Sequence, residues 1–245
     1  MQIFIINMEK STDRKEFMQK QLNPLELDYS FIEAITPDSK NFDKIIQYNN
    51  KKRMVRVGAP MSGGEIACFA SHYSLWKKCI ELDETIIVLE DDVKIRNNFI
   101  SVVKQLEKSI NNYKYIRLHG YFDHKYSVIE TLSSTQSIVK YFKPPSGAAA
   151  YILTPFAAKR FIGKADEWCE AVDTYMDRFW YHGVECYAVM PYIVEAGGIF
   201  NSEIGKRFSS NITILKKIIR EIIRTSKDVS MLFHNFIFVI KQYLK

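Results

Sequence analysis

No stretch of this 245-residue chain approaches the ~18 consecutive apolar residues that a membrane-spanning helix needs. The opening MQIFIINMEK lacks the basic region and long apolar core of a secretory leader, so the expectation is a protein made and kept in the cytoplasm. Cys68, Cys79, Cys169 and Cys186 form no CxxC pair, and their spacing to histidine is not read as that of zinc ligands. A structural zinc and a disulfide framework are therefore not expected, and all four are read as reduced thiols, mostly in the core. The glycine-rich VGAPMSGG is not followed by Gly-Lys-Ser/Thr, which excludes a P-loop. Internal repeats and low-complexity segments are lacking as well.

What is present is enough apolar material for a full core: 47% of residues are hydrophobic and 13% aromatic. The net charge of +6 is uneven. Residues 206–245 carry nine Lys or Arg against Glu221 and Asp228, a balance of +7 that leaves −1 for residues 1–205. The basic character thus belongs to the tail, and a nucleic-acid-binding face on the body is not expected. The reading is one domain, residues 1–205, with a basic appendage, residues 206–245.

Strand and helix patterns alternate along the body. IFIIN is a short apolar strand, STDRKEFMQKQL a helix begun at Ser11 or Thr12, and YSFIEAI a second strand. Residues 36–64 are polar and turn-rich, the pattern of a long mobile loop or lid. GEIACFASHYSLWKKCIEL is a strong helix, with Ile66, Phe69, Tyr73, Trp76 and Ile80 three or four apart. TIIVLE is a strand, NNFISVVKQLEKSI a helix, YIRLHG and SGAAAYILT strands, and PFAAKRFIG a helix with proline in its first turn. AVDTYMDRFWYHG reads as helical, and VECYAVMPYIVEAGG as a strand leading into a loop. This order implies an α/β fold whose parallel or mixed sheet is covered by helices on both faces. In the tail, Ile212, Leu215, Ile218, Ile219, Ile222 and Ile223 make an apolar stripe, with Lys216, Lys217, Arg220 and Arg224 on or beside the opposite face. A helix so patterned lies on an anionic membrane surface, or packs on protein, either the body or a second copy in a homodimer.

The sharpest feature is ETIIVLEDDVKI, in which an apolar run meets Glu90, Asp91 and Asp92. Two like charges ~5 Å apart repel by roughly 3 kcal/mol at an effective dielectric near 20, so the cluster needs protons, open solvent or a cation. Strand alternation projects Glu90 and Asp92 together and turns Asp91 away. Oxygen donors alone suit Mg²⁺ or Mn²⁺. The residues by themselves leave three readings open: helix-capping carboxylates, a phosphate-linked metal site in a transferase, and a receiver-type pocket, for which the chain is too long.

VLEDDVKIRNNF, preceded by GGEIACFASHYSLW and the opening IFIINMEKSTDRKEFM, resembles glycosyltransferase family 25 over residues 1 to about 205. The resemblance implies a GT-A fold of Rossmann-like character with a mostly parallel sheet, a UDP-sugar donor, a glycolipid acceptor and inversion at the anomeric carbon. It puts Glu90, Asp91 and Asp92 in place of the DxD motif, Asp92 as direct ligand of Mn²⁺ (or Mg²⁺) and Glu90 assisting. It implies donor contacts from Asn7, Arg14, Glu65, Ser71, His72, Glu90, Asp91 and Gly147, and a catalytic base at Asp173, with Asp177 and Glu195 as alternatives. Glu195 stands where the family has Gln, and Glu203, after Ser202, where it has Asp. The function implied is transfer of a hexose, galactose first, to a lipooligosaccharide at the inner face of the cytoplasmic membrane. Glucosyl or N-acetylglucosaminyl transfer, a metal-dependent phosphohydrolase and a non-catalytic nucleotide-sugar binder are the alternatives.

Overall fold

The structure, a computed structural model, describes residues 1–40, 42–198, 200 and 214–244. The first strand and helix, β1 (Gln2–Asn7) and α1 (Thr12–Leu22), lead to β2 (Tyr29–Glu33). Two short helices follow, α2 (Phe42–Ile45) and α3 (Asn50–Arg56), then the long α4 (Gly63–Leu82) and β3 (Ile86–Glu90). Next come β4 (Val93–Ile95), α5 (Phe99–Tyr113), β5 (Tyr115–Arg117), β6 (Tyr126–Thr131), β7 (Ser137–Tyr141), β8 (Ala150–Leu153) and α6 (Pro155–Ile162). The body ends with α7 (Val172–Met176), α8 (Phe179–His182), β9 (Tyr187–Met190) and β10 (Val194–Ala196), and the tail is α9 (Ile214–Tyr243).

Eight strands form one sheet in the order β2-β1-β3-β8-β5-β9-β7-β6. Three neighbouring pairs are parallel and four antiparallel, which leaves six strands running one way and only β8 and β7 against them. The expected α/β class, mostly parallel direction and two covered faces are all found. Strand alternation builds two cores. Phe4, Ile86, Val88, Tyr151 and Leu153 face α4 and α6. Ile3, Ile5, Ile87, Leu89, Ala150 and Ile152 face α1 and α5.

One reading needs correction. Residues 36–64 are not an unstructured loop: they carry α2 and α3 and are tied down where Asn49 N–H donates to Trp168 O at 2.9 Å and Trp168 N–H to Gln47 O at 2.7 Å. That backbone pairing is long-range and leaves no local signature. The tail helix docks on the body, one of the placements its pattern left open. Its Asn235 Nδ2 donates to Phe142 O at 2.7 Å, and its Lys227 and His234 pair with Glu170 and Glu185. Yet Ile218, Ile222, Val229, Leu232, Phe233, Phe236 and Ile240 of the same helix are exposed. No helix among the described residues is long and apolar enough to cross a membrane. Ile212, Ser202 and Glu203 lie outside the described residues, as does the side chain of Leu215.

Candidate active site

The chain leaves β1 to form β2 on one side and returns to place β3 on the other. Strand order thus reverses at β1, and in open α/β sheets ligands settle in the crevice beyond the carboxyl ends of strands at such a point. A cavity of about 430 Å³ lies there, within the range of small-molecule sites. Arg14, Glu33, Cys68, His72, Glu90 and Asp92 are among its walls, closed on one side by Thr36, Pro37 and Asp38.

Each carboxylate of the cluster takes its surroundings from the face it points to. Glu90 continues the Ile86, Val88 series toward α4, where His72 Nε2 lies 3.3 Å from its Oε1. His72 is fully buried, and its other ring nitrogen is 2.9 Å from the Tyr151 hydroxyl, which also accepts Trp76 Nε1–H at 3.1 Å. Asp91, in the turn that follows β3, meets Asn7 and α1 and also lines the cavity. Asn7 Nδ2 donates to its Oδ2 and Arg14 Nη1 to its Oδ1, both at 2.8 Å. Burial still raises the Asp91 carboxyl above its usual range, against the pull of Arg14 and Asn7.

Asp92 has less help. Arg14 Nη1 is 3.8 Å from its Oδ2, and burial, then the neighbouring Glu90 charge, push its carboxyl up to about 6. Among the described residues, Arg14 and Lys10 are the only Lys or Arg side chains on the cavity wall. The rim therefore holds more negative charge than its own cations balance. A set of carboxylate oxygens so placed fits a hard divalent ion, with Asp92 and Glu90 as the residues to hold it.

Ser71 also reaches the cavity wall, with its hydroxyl donating to Ala67 O at 3.0 Å and accepting Ile35 N–H at 2.8 Å. Three expected donor contacts sit elsewhere. Asn7 is spent on Asp91. Glu65 is the third residue of α4 and closes a capping box with Ser62, accepting its N–H at 2.9 Å while its own N–H donates to Ser62 Oγ at 3.1 Å. Gly147, at φ +91°, admits the Tyr121 ring: a Cβ there would lie 2.8 Å from Tyr121 Cδ2. Asp173 opens α7, its Oδ1 accepting Thr174 N–H at 2.7 Å. It is outside the cavity wall, yet close enough that its charge helps raise both the Cys68 thiol and the Tyr121 phenol. Of the alternatives, Asp177 pairs with the buried Arg117 at 2.6 Å and Glu195 with Arg96 at the surface.

One residue of the site was passed over in the sequence. Cys68 stands four positions before His72, one helical turn away on the same face of α4. Cys68, His72 and Glu90 offer ligand atoms that all lie within 4.8 Å of one another. The Cys-x₃-His spacing in GEIACFASH was the available signal, and the reading that no histidine stands at ligand spacing is corrected here.

Comparison with known proteins places this geometry in context. A family described as "Glycosyltransferase family 25 (LPS biosynthesis protein)" matches residues 1–176. Procollagen galactosyltransferase 2 of Homo sapiens is 34% identical over 117 residues, 45% of this chain and 18% of that protein. A procollagen lysyl hydroxylase and glycosyltransferase of Acanthamoeba polyphaga mimivirus is 32% identical over 178 residues, 65% of this chain and 19% of its own length. A lipooligosaccharide biosynthesis protein of Haemophilus influenzae is 28% identical over 165 residues, 64% of this chain and 60% of the relative. The matches thus span less than a fifth of the two procollagen proteins and three-fifths of the third.

Proposed function

The chain belongs to glycosyltransferase family 25, and from that premise we propose that it is an inverting, metal-dependent hexosyltransferase of GT-A type, acting from a UDP-sugar onto a terminal sugar of a lipooligosaccharide. The observation that carries the reading is the under-neutralised Glu90 and Asp92 pair at the sheet's switch point, beside a cavity of about 430 Å³. Galactose is the donor sugar favoured, because procollagen relatives are named for galactosyl transfer and the Haemophilus relative for lipooligosaccharide synthesis.

Asp92 and Glu90 hold Mn²⁺ or Mg²⁺, which when bound supplies Lewis-acid neutralisation of the diphosphate leaving group. Arg14 pairs with Asp91, opposing the rise that burial gives its carboxyl, and adds positive charge at the same rim, and Ser71 and His72 shape the wall against which the donor lies. Asp173 accepts the proton of the acceptor hydroxyl as that oxygen attacks the anomeric carbon. The new C–O bond forms as the bond to the diphosphate oxygen breaks, with one inversion.

Residues 206–245 act as an anchor at the cytoplasmic leaflet. The exposed Ile218, Ile222, Val229, Leu232, Phe233, Phe236 and Ile240 fall within about 100° of one another around α9. The tail's excess of cations adds attraction to anionic headgroups.

The test is incubation with Mn²⁺, a panel of UDP-sugars and lactose- or glucose-terminated acceptors, following UDP release and product mass. Acceptor-dependent UDP release with a product one hexose heavier is expected. Phosphate or UDP release without an acceptor would make the protein a hydrolase, and binding without turnover a donor-binding module.

A further inference from the structure

We propose that Cys68, His72 and Glu90 form a second metal site, selective for a borderline ion of the zinc class, whose occupation withdraws Glu90 from the hard-ion site beside it. Nothing in the reaction above calls for a thiol, yet Cys68 stands half-buried on the cavity wall with its sulfur turned toward an imidazole and a carboxylate. The spacing suits one ion. Bonds of 2.0–2.2 Å to nitrogen and oxygen set a tetrahedral ligand-to-ligand distance of about 3.4 Å. His72 Nε2 and Glu90 Oε1 are 3.3 Å apart. Cys68 completes three protein ligands within 4.8 Å, and the cavity leaves the fourth position to water.

The surroundings are those of a supported site. His72 is fully buried and fixed through its other nitrogen by the Tyr151 hydroxyl at 2.9 Å, itself anchored by Trp76. Such an outer partner sets the ring orientation of metal-binding histidines. Residues four apart on a helix can grip one ion without strain, as in other zinc sites with ligands on one helical turn. Thiolate and imidazole together prefer Zn²⁺ over Mn²⁺ by both softness and the order of divalent affinities.

The protein alone keeps Cys68 protonated. Burial raises its thiol well above the ordinary value, and the charges of Glu90, Asp173, Glu65 and Asp92 raise it further. An entering Zn²⁺ reverses that balance: the sulfur gives its proton to solvent and binds the ion as thiolate, one proton per metal. Since Glu90 cannot serve both sites fully, zinc at Cys68 weakens Mn²⁺ at Asp92.

Cobalt(II) titration of the full chain tests this without reference to turnover. A near-ultraviolet thiolate-to-cobalt charge-transfer band, saturating at one ion per chain, is expected in the unaltered protein. Cys68→Ser should abolish the band and weaken Zn²⁺ binding in calorimetry by more than ~100-fold, above the cost of losing an outer-sphere partner. Absence of the band from the unaltered protein, or unchanged zinc affinity in Cys68→Ser, would overturn the proposal. The two readings fail separately, because a protein inactive on every donor still shows the band if the site is real, and an active one lacks it if the site is not.

Discussion

Arg14 and Asp91 are joined across 77 residues by an ion pair of 2.8 Å in which each side chain is only 9% exposed. It welds α1 to the turn after β3 and orders the rim on which Glu90 and Asp92 sit. Removing the guanidinium leaves a buried carboxylate, which typically costs about 3–5 kcal/mol. Arg14→Met should lower the stability measured by urea denaturation by that amount. Adding Asp91→Asn should recover most of the loss, since both charges are then gone. Additive losses in the double variant would mean that the pair is not the connection that matters.

Asp92 is held at a disadvantage in the metal-free protein, and its replacement separates stability from function. Asp92→Asn removes the repulsion with Glu90 and the burial of a charge. The apo variant should therefore melt a few degrees higher at pH 7.5, as removal of a strained functional group commonly allows. Turnover with Mn²⁺ should fall at least ~10³-fold, the several kcal/mol that a metal contributes at a leaving group. Retained activity would remove Asp92 from the metal site.

The same carboxyl gives metal binding a pH dependence. Its folded-state value of about 6 lies above the ~3.9 of an unfolded aspartate. Between these values the native chain holds a proton that the unfolded chain has released. This group's contribution to stability is therefore unfavourable above about pH 6 and is relieved as pH falls from there to about 4. Metal binding needs the ionised form, so Mn²⁺ affinity should drop about tenfold per unit below pH 6. Calorimetric titrations at pH 5 and pH 7 check this, and equal affinities would contradict it.

How much of this was readable follows the distance over which each feature is determined. The run TIIVLE declares a buried strand and its acidic end within a dozen residues, while which helix each carboxylate meets depends on the packing of α1 and α4. The helix α4 and its start at Ser62 are equally local. By contrast β4 and β10 are three residues each and exist because Val93–Ile95 finds Val194–Ala196 a hundred positions away. The docking of residues 47–49 on Trp168 likewise depends on a partner that no window reveals, whereas the β6–β7 hairpin is a local pairing across residues 132–136 that the sequence reading does not include. Arg117 and Asp177 form a buried pair 60 positions apart, invisible as a pattern. The Cys68–His72 spacing is local and readable, but a lone Cys-x₃-His is not a zinc signature until the fold brings Glu90 beside it.

The tail offers the sharpest remaining discrimination, because α9 has two apolar sides with different fates. One side docks: Phe238 lies 5.3 Å from Lys140 Nζ, and Asn235 is buried against Phe142. The other leaves Phe233 and Phe236 64% and 62% exposed. Phe233→Ser with Phe236→Ser falls mainly on the second, Phe233 also lining a crevice shared with Trp180 and Tyr181, and unchanged circular dichroism and melting check that the fold is kept. Each buried phenylalanine side chain contributes about 1.5–3 kcal/mol on transfer from water. Losing two should weaken co-sedimentation with phosphatidylglycerol-rich vesicles by ~100-fold or more, while activity on a water-soluble acceptor stays near its starting value. Light scattering on the same pair of proteins separates the rival occupant. If the stripe joins two copies of the chain, the variant halves the measured mass and leaves vesicle binding as it was, and the anchor assignment falls.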